Sequence, residues 1–232
     1  MHYDAIFDSV TRWVLDDRRK FFESVYKNNV WTSGESRSGK GSELWYTKRL
    51  IEELPGALHK LGVSRLLDVP CGDFNWMKEV DLAGVEYIGG DIVSELVEEN
   101  AAKYGSESRK FVVLDIVGDV LPSADLLLVR DCFIHFSNDL VLQSLKNIVR
   151  SEIRYLGLST LPEKYYPGLV NVDLDRAQDG VNFEYRPIKF EAAPYSFPPP
   201  LMEIEDGIEG AAHWRTNIGV WEVDTIRKLL SV

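Results

Sequence analysis

The stretch from Ser64 to Ile92, SRLLDVPCGDFNWMKEVDLAGVEYIGGDI, constrains this chain more than any other. A short apolar run ends in an acid (Leu66, Leu67, Asp68), and a tight turn of small residues follows (Pro70, Cys71, Gly72). A stretch read as helical leads to a second apolar run that closes on Asp91. The order is strand, turn, helix, strand. Two parallel strands with carboxylates at their carboxyl ends, joined by a turn that delivers backbone N–H groups to a helix start, make the nucleotide-binding half of an open α/β sheet.

The same alternation continues downstream. Leu96, Val97 and Ala101 mark a helix over Val93 to Tyr104, and Phe111 to Leu114 with Asp115 a third strand. Ala124 to Val129, closed by Arg130 and Asp131, is a fourth; a helix from about Asn138 to Arg150 and a strand from Ile153 to Leu158 follow. Asp115 to Leu126 is too short for a long crossover helix, so a loop or single turn is expected there. This pattern predicts an α/β fold, a doubly wound and mostly parallel sheet. Ile218, Val220, Trp221 and Val223 alternate as a closing strand, with a short helix from Asp224 to Leu230 behind it. A further short strand is expected near Phe183 to Tyr185.

Ahead of this unit, Ile6, Val10, Trp13, Val14, Phe21, Phe22 and Val25 recur at helical spacings and predict one or two amphipathic helices over residues 1 to 27. Asn28 to Ser42, NNVWTSGESRSGKGS, is Gly- and Ser-rich without periodicity. It reads either as a linker or as a strap carrying groups such as Trp31 over a ligand. Gly41 or Ser42 is expected to cap a helix from about Glu43 to Leu61 with Leu44, Leu50, Ile51, Leu54 and Leu58 inward, bent or divided at Pro55. Residues 1–62 are thus expected to form a helical cap with a ligand-covering loop, and 63–232 the binding domain, with irregular substrate-side loops at 161–212, where most of the prolines lie.

A formal net charge of -11 argues against a nucleic-acid partner, whose affinity rests on clustered Lys and Arg. No apolar run is long enough to cross a bilayer, and Asp4, Asp8, Arg12, Asp16 and Asp17 interrupt the segment where a secretory signal would be apolar. Cys71 and Cys132 sit in motif-like segments rather than at framework spacing and read as reduced thiols. A cytoplasmic protein acting on a small molecule, away from membranes, is expected.

Four strand ends place Asp68, Asp91, Asp115 and the adjacent Arg130 and Asp131 on one rim. An ionised carboxylate only accepts hydrogen bonds and can take both ribose hydroxyls, which suits Asp91; Asp115 can accept from an exocyclic adenine amine. A nicotinamide dinucleotide would need G-x-G-x-x-G after the first strand. The turn here has one glycine, Gly72, and two nearby carboxylates, Asp68 and Asp73, that repel a pyrophosphate. It suits a cationic tail, such as the ammonium and sulfonium of S-adenosylmethionine.

These segments resemble the class I S-adenosylmethionine-dependent methyltransferases. Leu66 to Met77, LLDVPCGDFNWM, looks like a variant of the family's glycine-rich first motif, with Pro70 where the first glycine of D-x-G-x-G is common. Together GESRSGKGS, DVPCGDFNWM, YIGGDIV, LDI and RDCFIHFS resemble a bacterial subgroup whose genes often accompany surface-polysaccharide or small-metabolite pathways. The likeness spans about residues 28 to 160, and Tyr195 to Leu201 more loosely. It implies a seven-stranded Rossmann-like sheet, S-adenosylmethionine as cofactor and S-adenosylhomocysteine as product. It further implies Asp68, Pro70, Cys71 and Gly72 around the methionine moiety, Asp91 and Ile92 at the ribose and adenine, Asp115 and Ile116 at the adenine, and Trp76 among the cofactor-binding residues. Arg130 would border the cofactor tail, and Trp31 with Ser38, Gly39 and Ser42 would fold over its carboxylate.

Methyl transfer from a sulfonium is an in-line displacement that rests on positioning, with no obligatory metal. His135, four residues beyond Asp131, can take a hydroxyl proton. Asp131 can orient it, act as the base itself or hold the cofactor ammonium; a structural histidine bonded to a loop carbonyl is the competing reading of His135. His213 is the second candidate, and His2 and His59 read as surface residues. Tyr165, Arg186, Tyr195, Trp214 and Arg215 can stack on a sugar or clamp a phosphate, although core packing explains most such aromatics. The expected function is O-methylation of a small hydroxylated acceptor: a sugar, a nucleotide sugar or a phosphorylated metabolite. N-methylation and a non-catalytic S-adenosylmethionine-binding module are the alternatives, with a NAD-dependent oxidoreductase behind them.

Overall fold

The computed structural model of the protein describes residues 18–174, 186–207 and 215–230. Helices α1 (Arg18–Asn28) and α2 (Leu44–Leu61) precede β1 (Arg65–Asp68) and β2 (Glu86–Asp91). There follow α3 (Ser94–Tyr104), β3 (Arg109–Val113), β4 (Leu126–Val129), α4 (Asn138–Ile148), β5 (Tyr155–Thr160), β6 (Met202–Asp206), β7 (Thr216–Glu222) and α5 (Val223–Leu229). The strands form one 7-stranded sheet in the order β3-β2-β1-β4-β5-β7-β6. All run parallel except β7, which is antiparallel to both β5 and β6. Strand order reverses between β1 and β4, and open α/β sheets bind ligands in the crevice beyond the carboxyl ends at such a point.

Both faces of the sheet are covered, which is why β1, β4 and β5 read as continuous apolar runs rather than alternating ones. Leu67, Leu127, Val129, Leu156 and Leu158 point to one face and pack with Val141, Leu145 and Ile148 of α4 and Ile226 of α5. Their neighbours Leu66, Leu126 and Leu128 point to the other, beneath Leu50, Leu54 and Leu58 of α2. The proline-rich tail joins the first layer through Phe190, Tyr195 and Phe197 around Trp221, whose indole donates to the Pro198 carbonyl at 2.7 Å.

Several local expectations are corrected. Between β1 and β2 the chain forms one 3₁₀ turn, Met77–Glu79, and no α-helix. The Asp73 carboxylate bonds nearby backbone, Phe74 sits at φ 60, and Phe74, Trp76, Met77 and Val80 all bury beneath α2 from an irregular path rather than from one helical face. Helix α2 continues through Pro55 without dividing. Neither Gly41 nor Ser42 caps it: they lie in a 3₁₀ turn, Lys40–Ser42, and the Leu44 N–H is taken up by the Glu35 carboxylate at 2.8 Å. Within the expected loops at 161–212, β6 is an edge strand whose solvent-side Glu203 and Glu205 hid it. The strand expected near Phe183 to Tyr185 and the helical positions Ile6 to Val14 lie outside the described residues. Cys71 and Cys132 are free and buried. Among the described residues no helix is long and apolar enough to cross a membrane.

Candidate active site

A cavity of about 550 Å³ lies over the carboxyl ends of β1, β2 and β4, within the size range of small-molecule and cofactor sites. Its wall includes every residue expected at a cofactor: Trp31, Ser38, Gly39 and Ser42 from the strap; Asp68, Pro70, Cys71, Gly72 and Trp76 from β1 and its turn; and Asp91, Ile92, Asp115, Ile116 and Arg130 from the other strand ends. Asp131 and His135 line it too.

The floor is built by close approach of two segments. Gly72 sits at φ 52, and a Cβ there would fall 2.2 Å from Ser38 Oγ, so the strap can lie on the turn only where residue 72 has no side chain. Asp73 ties the strap down: its carboxylate accepts from Ser36 Oγ at 2.9 Å, the Arg37 N–H at 2.7 Å and Ser38 Oγ at 3.2 Å. Asn75 adds bonds to Glu35 at 2.6 Å and the Ser42 carbonyl at 3.0 Å. Of the two readings of Asn28 to Ser42, this network matches a strap rather than a free linker. Asp73, read as half of a cationic seat, is thereby occupied as the strap's anchor.

Asp68 is the other acid of the expected seat. Its Oδ2 accepts from the Tyr87 hydroxyl at 2.7 Å, while Oδ1 is buried with no hydrogen-bond partner. Burial pushes its pKa up to about 7, against the opposing pull of Tyr87 and Arg130. Asp91 accepts from the Gly72 N–H at 3.2 Å and the Val93 N–H at 3.0 Å; burial raises it to about 6 despite those donors. Asp115 accepts from Val117 N–H at 3.0 Å and is paired with Arg18 at 2.5 Å.

Arg130 serves the wall more than the ligand. Its Nε and Nη2 engage the two oxygens of buried Asp206 at 2.8 and 3.0 Å, and Nη2 also donates to the Gly41 carbonyl at 2.7 Å. Burial opposes its charge, but Asp206 and Asp131 outweigh that and push the guanidinium pKa up. It braces the end of β4 to β6 and the strap, with Nη1 3.3 Å from Asp131. Asp131 adopts a left-handed backbone at φ 50, its N–H donating to Ser159 Oγ at 2.9 Å, and its side chain remains 31% exposed at the cavity. His135 closes a 3₁₀ turn, Phe133–His135; its ring stacks on Trp31 at 5.2 Å and meets the edge of Phe22 at 6.3 Å.

Of the tail residues expected at an acceptor, the described ones, Tyr165, Arg186, Tyr195 and Arg215, are not in the lining of this cavity. Arg186 is buried and donates to the carbonyls of Phe136 at 2.8 Å and Val172 at 3.2 Å and to the Tyr195 hydroxyl at 3.0 Å; that hydroxyl donates to Asn138 at 2.6 Å. The pair clamps the tail to the segment after β4. Arg215 lies over the Tyr165 ring at 4.1 Å and reaches Glu205 at 3.5 Å, away from the described lining. Trp214 and His213 lie outside the described residues. Conversely, Arg18 and Tyr26 of α1, Tyr46 of α2 and Thr216 of β7 line the cavity without having been singled out, as do Phe22 and Val25 of α1, read only as positions of a helical face. The helical spacing of the α1 set signalled a buried face but not what the face covers.

No protein-family model matches the sequence, and no curated protein matches it. Solved structures do. Burkholderia thailandensis 1,6-didemethyltoxoflavin-N1-methyltransferase, with 1,6-didemethyltoxoflavin and S-adenosylhomocysteine bound, is similar with a TM-score of 0.57 and 16% identity over 96% of this chain and 91% of that one. The chain has the class I methyltransferase fold. Magnesium protoporphyrin IX methyltransferase from Synechocystis PCC 6803, with bound S-adenosylmethionine, gives a TM-score of 0.56 and 14% identity over 88% of this chain and 94% of that one. The methyltransferase domain of bacterial CtHen1-CN gives 0.52 and 14% over 75% and 98%. The donor set of this methyltransferase-fold cavity fits the cofactor: the partnerless Asp68 Oδ1 can accept from its ammonium, and Asp91 keeps lone pairs for ribose hydroxyls.

Proposed function

We propose that the protein is an S-adenosylmethionine-dependent methyltransferase acting on a hydroxyl of a small acceptor such as a sugar, a nucleotide sugar or a phosphorylated metabolite. The observation that carries the cofactor reading is Asp68, a buried carboxylate with one oxygen left for a cation in the wall of a cavity on this fold. Asp68 holds the ammonium, Asp91 the ribose and Asp115 the adenine amine, while Trp31 and the Ser38 to Ser42 strap cover the tail. When bound, the cofactor supplies an electrophilic methyl group. His135, stacked on Trp31 with the Phe22 edge beside it, takes the proton of the acceptor hydroxyl, and Asp131, in the same lining, orients the imidazole. The acidic chain suits a free metabolite in the cytoplasm better than a nucleic acid.

Screening sugar and phosphate-bearing acceptors for release of S-adenosylhomocysteine tests the reading. With the acceptor so found, His135→Ala should keep cofactor affinity and lose about 100-fold or more in turnover, the usual worth of a positioned base. Full turnover would return His135 to a structural role.

The Asp68 titration gives a pH signature. Because its folded pKa is raised, neutral Asp68 favours the ligand-free fold at low pH, and that contribution is lost as the pH climbs through about 7. An ammonium at Oδ1 selects the ionised form, so affinity for S-adenosylhomocysteine should fall about tenfold per pH unit below that point. Between about pH 6 and 7, above the range in which Asp91 titrates, Asp68→Asn should flatten the profile; a slope there that survives the substitution removes Asp68 from the tail site.

A further inference from the structure

We infer that Arg18 is a cofactor-binding residue that reads the adenine base together with Asp115; the inference rests on the methyltransferase reading above. Helix α1 lays one face, Arg18, Phe22, Val25 and Tyr26, along the cavity. It is held on α3 by Arg19, which bonds Ser94 Oγ at 3.2 Å, and by the Tyr26 hydroxyl, which donates to Glu99 at 2.8 Å; neither bond involves Arg18.

Arg18 Nη2 lies 2.5 Å from Asp115 Oδ2, while the second carboxylate oxygen accepts from the Val117 N–H at 3.0 Å and not from Arg18, so each oxygen keeps a lone pair. The side-on pairing that Arg130 makes with both oxygens of Asp206 is therefore left half made here. Arg18 Nε, on the same edge of the guanidinium, is buried and has no partner. A buried donor with nothing to donate to is costly, and a ligand acceptor removes that cost. Side by side in the lining, then, stand an acceptor in Asp115 and, in Arg18, an unpartnered donor. Adenine presents the complement on either of two edges: its 6-amino group flanked by ring N1 or by ring N7. A 6-oxo base turns an acceptor towards the carboxylate and is rejected.

Calorimetry with S-adenosylhomocysteine and its 6-oxo counterpart, S-inosylhomocysteine, tests this. The native protein should prefer the adenine compound by at least about 100-fold, because a site built for one hydrogen-bond pattern leaves its groups unpaired with the other. Arg18→Lys keeps a cation opposite Asp115 but lacks the paired N–H edge; it should lose about tenfold in S-adenosylhomocysteine affinity and narrow the preference. Arg18→Gln, which also loses the charge, should lose more. Arg19→Ala loosens α1 from α3 without touching the cavity and should keep both affinity and preference. Thermal melts of each variant establish that it is folded. Unchanged affinity and preference in Arg18→Lys overturns the assignment, as does equal loss in Arg19→Ala, which would mean that helix docking alone matters. A native protein that binds neither compound overturns the methyltransferase reading as well.

Discussion

Asp91→Ala is expected to abolish detectable binding of S-adenosylmethionine and S-adenosylhomocysteine. The side chain sits at the end of β2, buried, and joins two functions. Its oxygens receive the Gly72 and Val93 N–H groups, which fix the β1 turn and the start of α3, and their remaining lone pairs face the cavity. Truncation removes the ribose acceptor and frees the turn at once. Hydrogen bonds to a charged partner are worth about 1.5–3 kcal/mol each, so losing two from the ribose costs roughly 100-fold to 10,000-fold in affinity before the turn relaxes. Calorimetry measures it directly. Affinity within about threefold of the native value, a difference of less than 1 kcal/mol, would detach the ribose from β2.

Asp206→Ala should be the most destabilising single change near the site. Asp206 is fully enclosed and takes two hydrogen bonds from Arg130, itself buried. Removing one partner of a buried pair leaves the other charge uncompensated, at a cost of about 3–5 kcal/mol. Asp131 stays 3.3 Å from the guanidinium, so the lower end of that range, about 3 kcal/mol, is expected in urea denaturation. Combining it with Arg130→Met should recover much of the loss, because an apolar residue of similar volume leaves no buried charge. A single-mutant cost under about 1 kcal/mol would mean that the brace between β4 and β6 contributes little.

The parts of the fold read most directly from the sequence are those where burial acts on consecutive residues. β1, β4 and β5 are covered on both faces, so their apolar runs stand out, and the acids that end β1 and β2 mark the rim of the cavity. The strand-end acids line the cavity as read, because a strand end places a side chain regardless of what surrounds it, whereas the strap and turn residues of the wall were reached through the family resemblance. What was missed depends on contacts between distant segments. Phe74, Trp76 and Met77 resemble part of a helical face, but Asp73 and Asn75 bond the strap instead of solvating a helix start. Arg186 and Tyr195 look like ligand-binding groups among prolines, and only the fold shows them bonded to the segment after β4 and to each other. In α1 the spacing of Phe22 and Val25 shows an inward face, while Arg18 and its half-made pair with Asp115 appear only when strand and helix meet.

The cavity over β1 and β2 is proposed as a seat for S-adenosylmethionine. Its most direct test is a calorimetric titration of the native protein with S-adenosylhomocysteine, with NAD titrated in parallel. Saturable binding of S-adenosylhomocysteine at one site per chain, with no heat from NAD, is the predicted result. Saturation by NAD with no response to S-adenosylhomocysteine would contradict it.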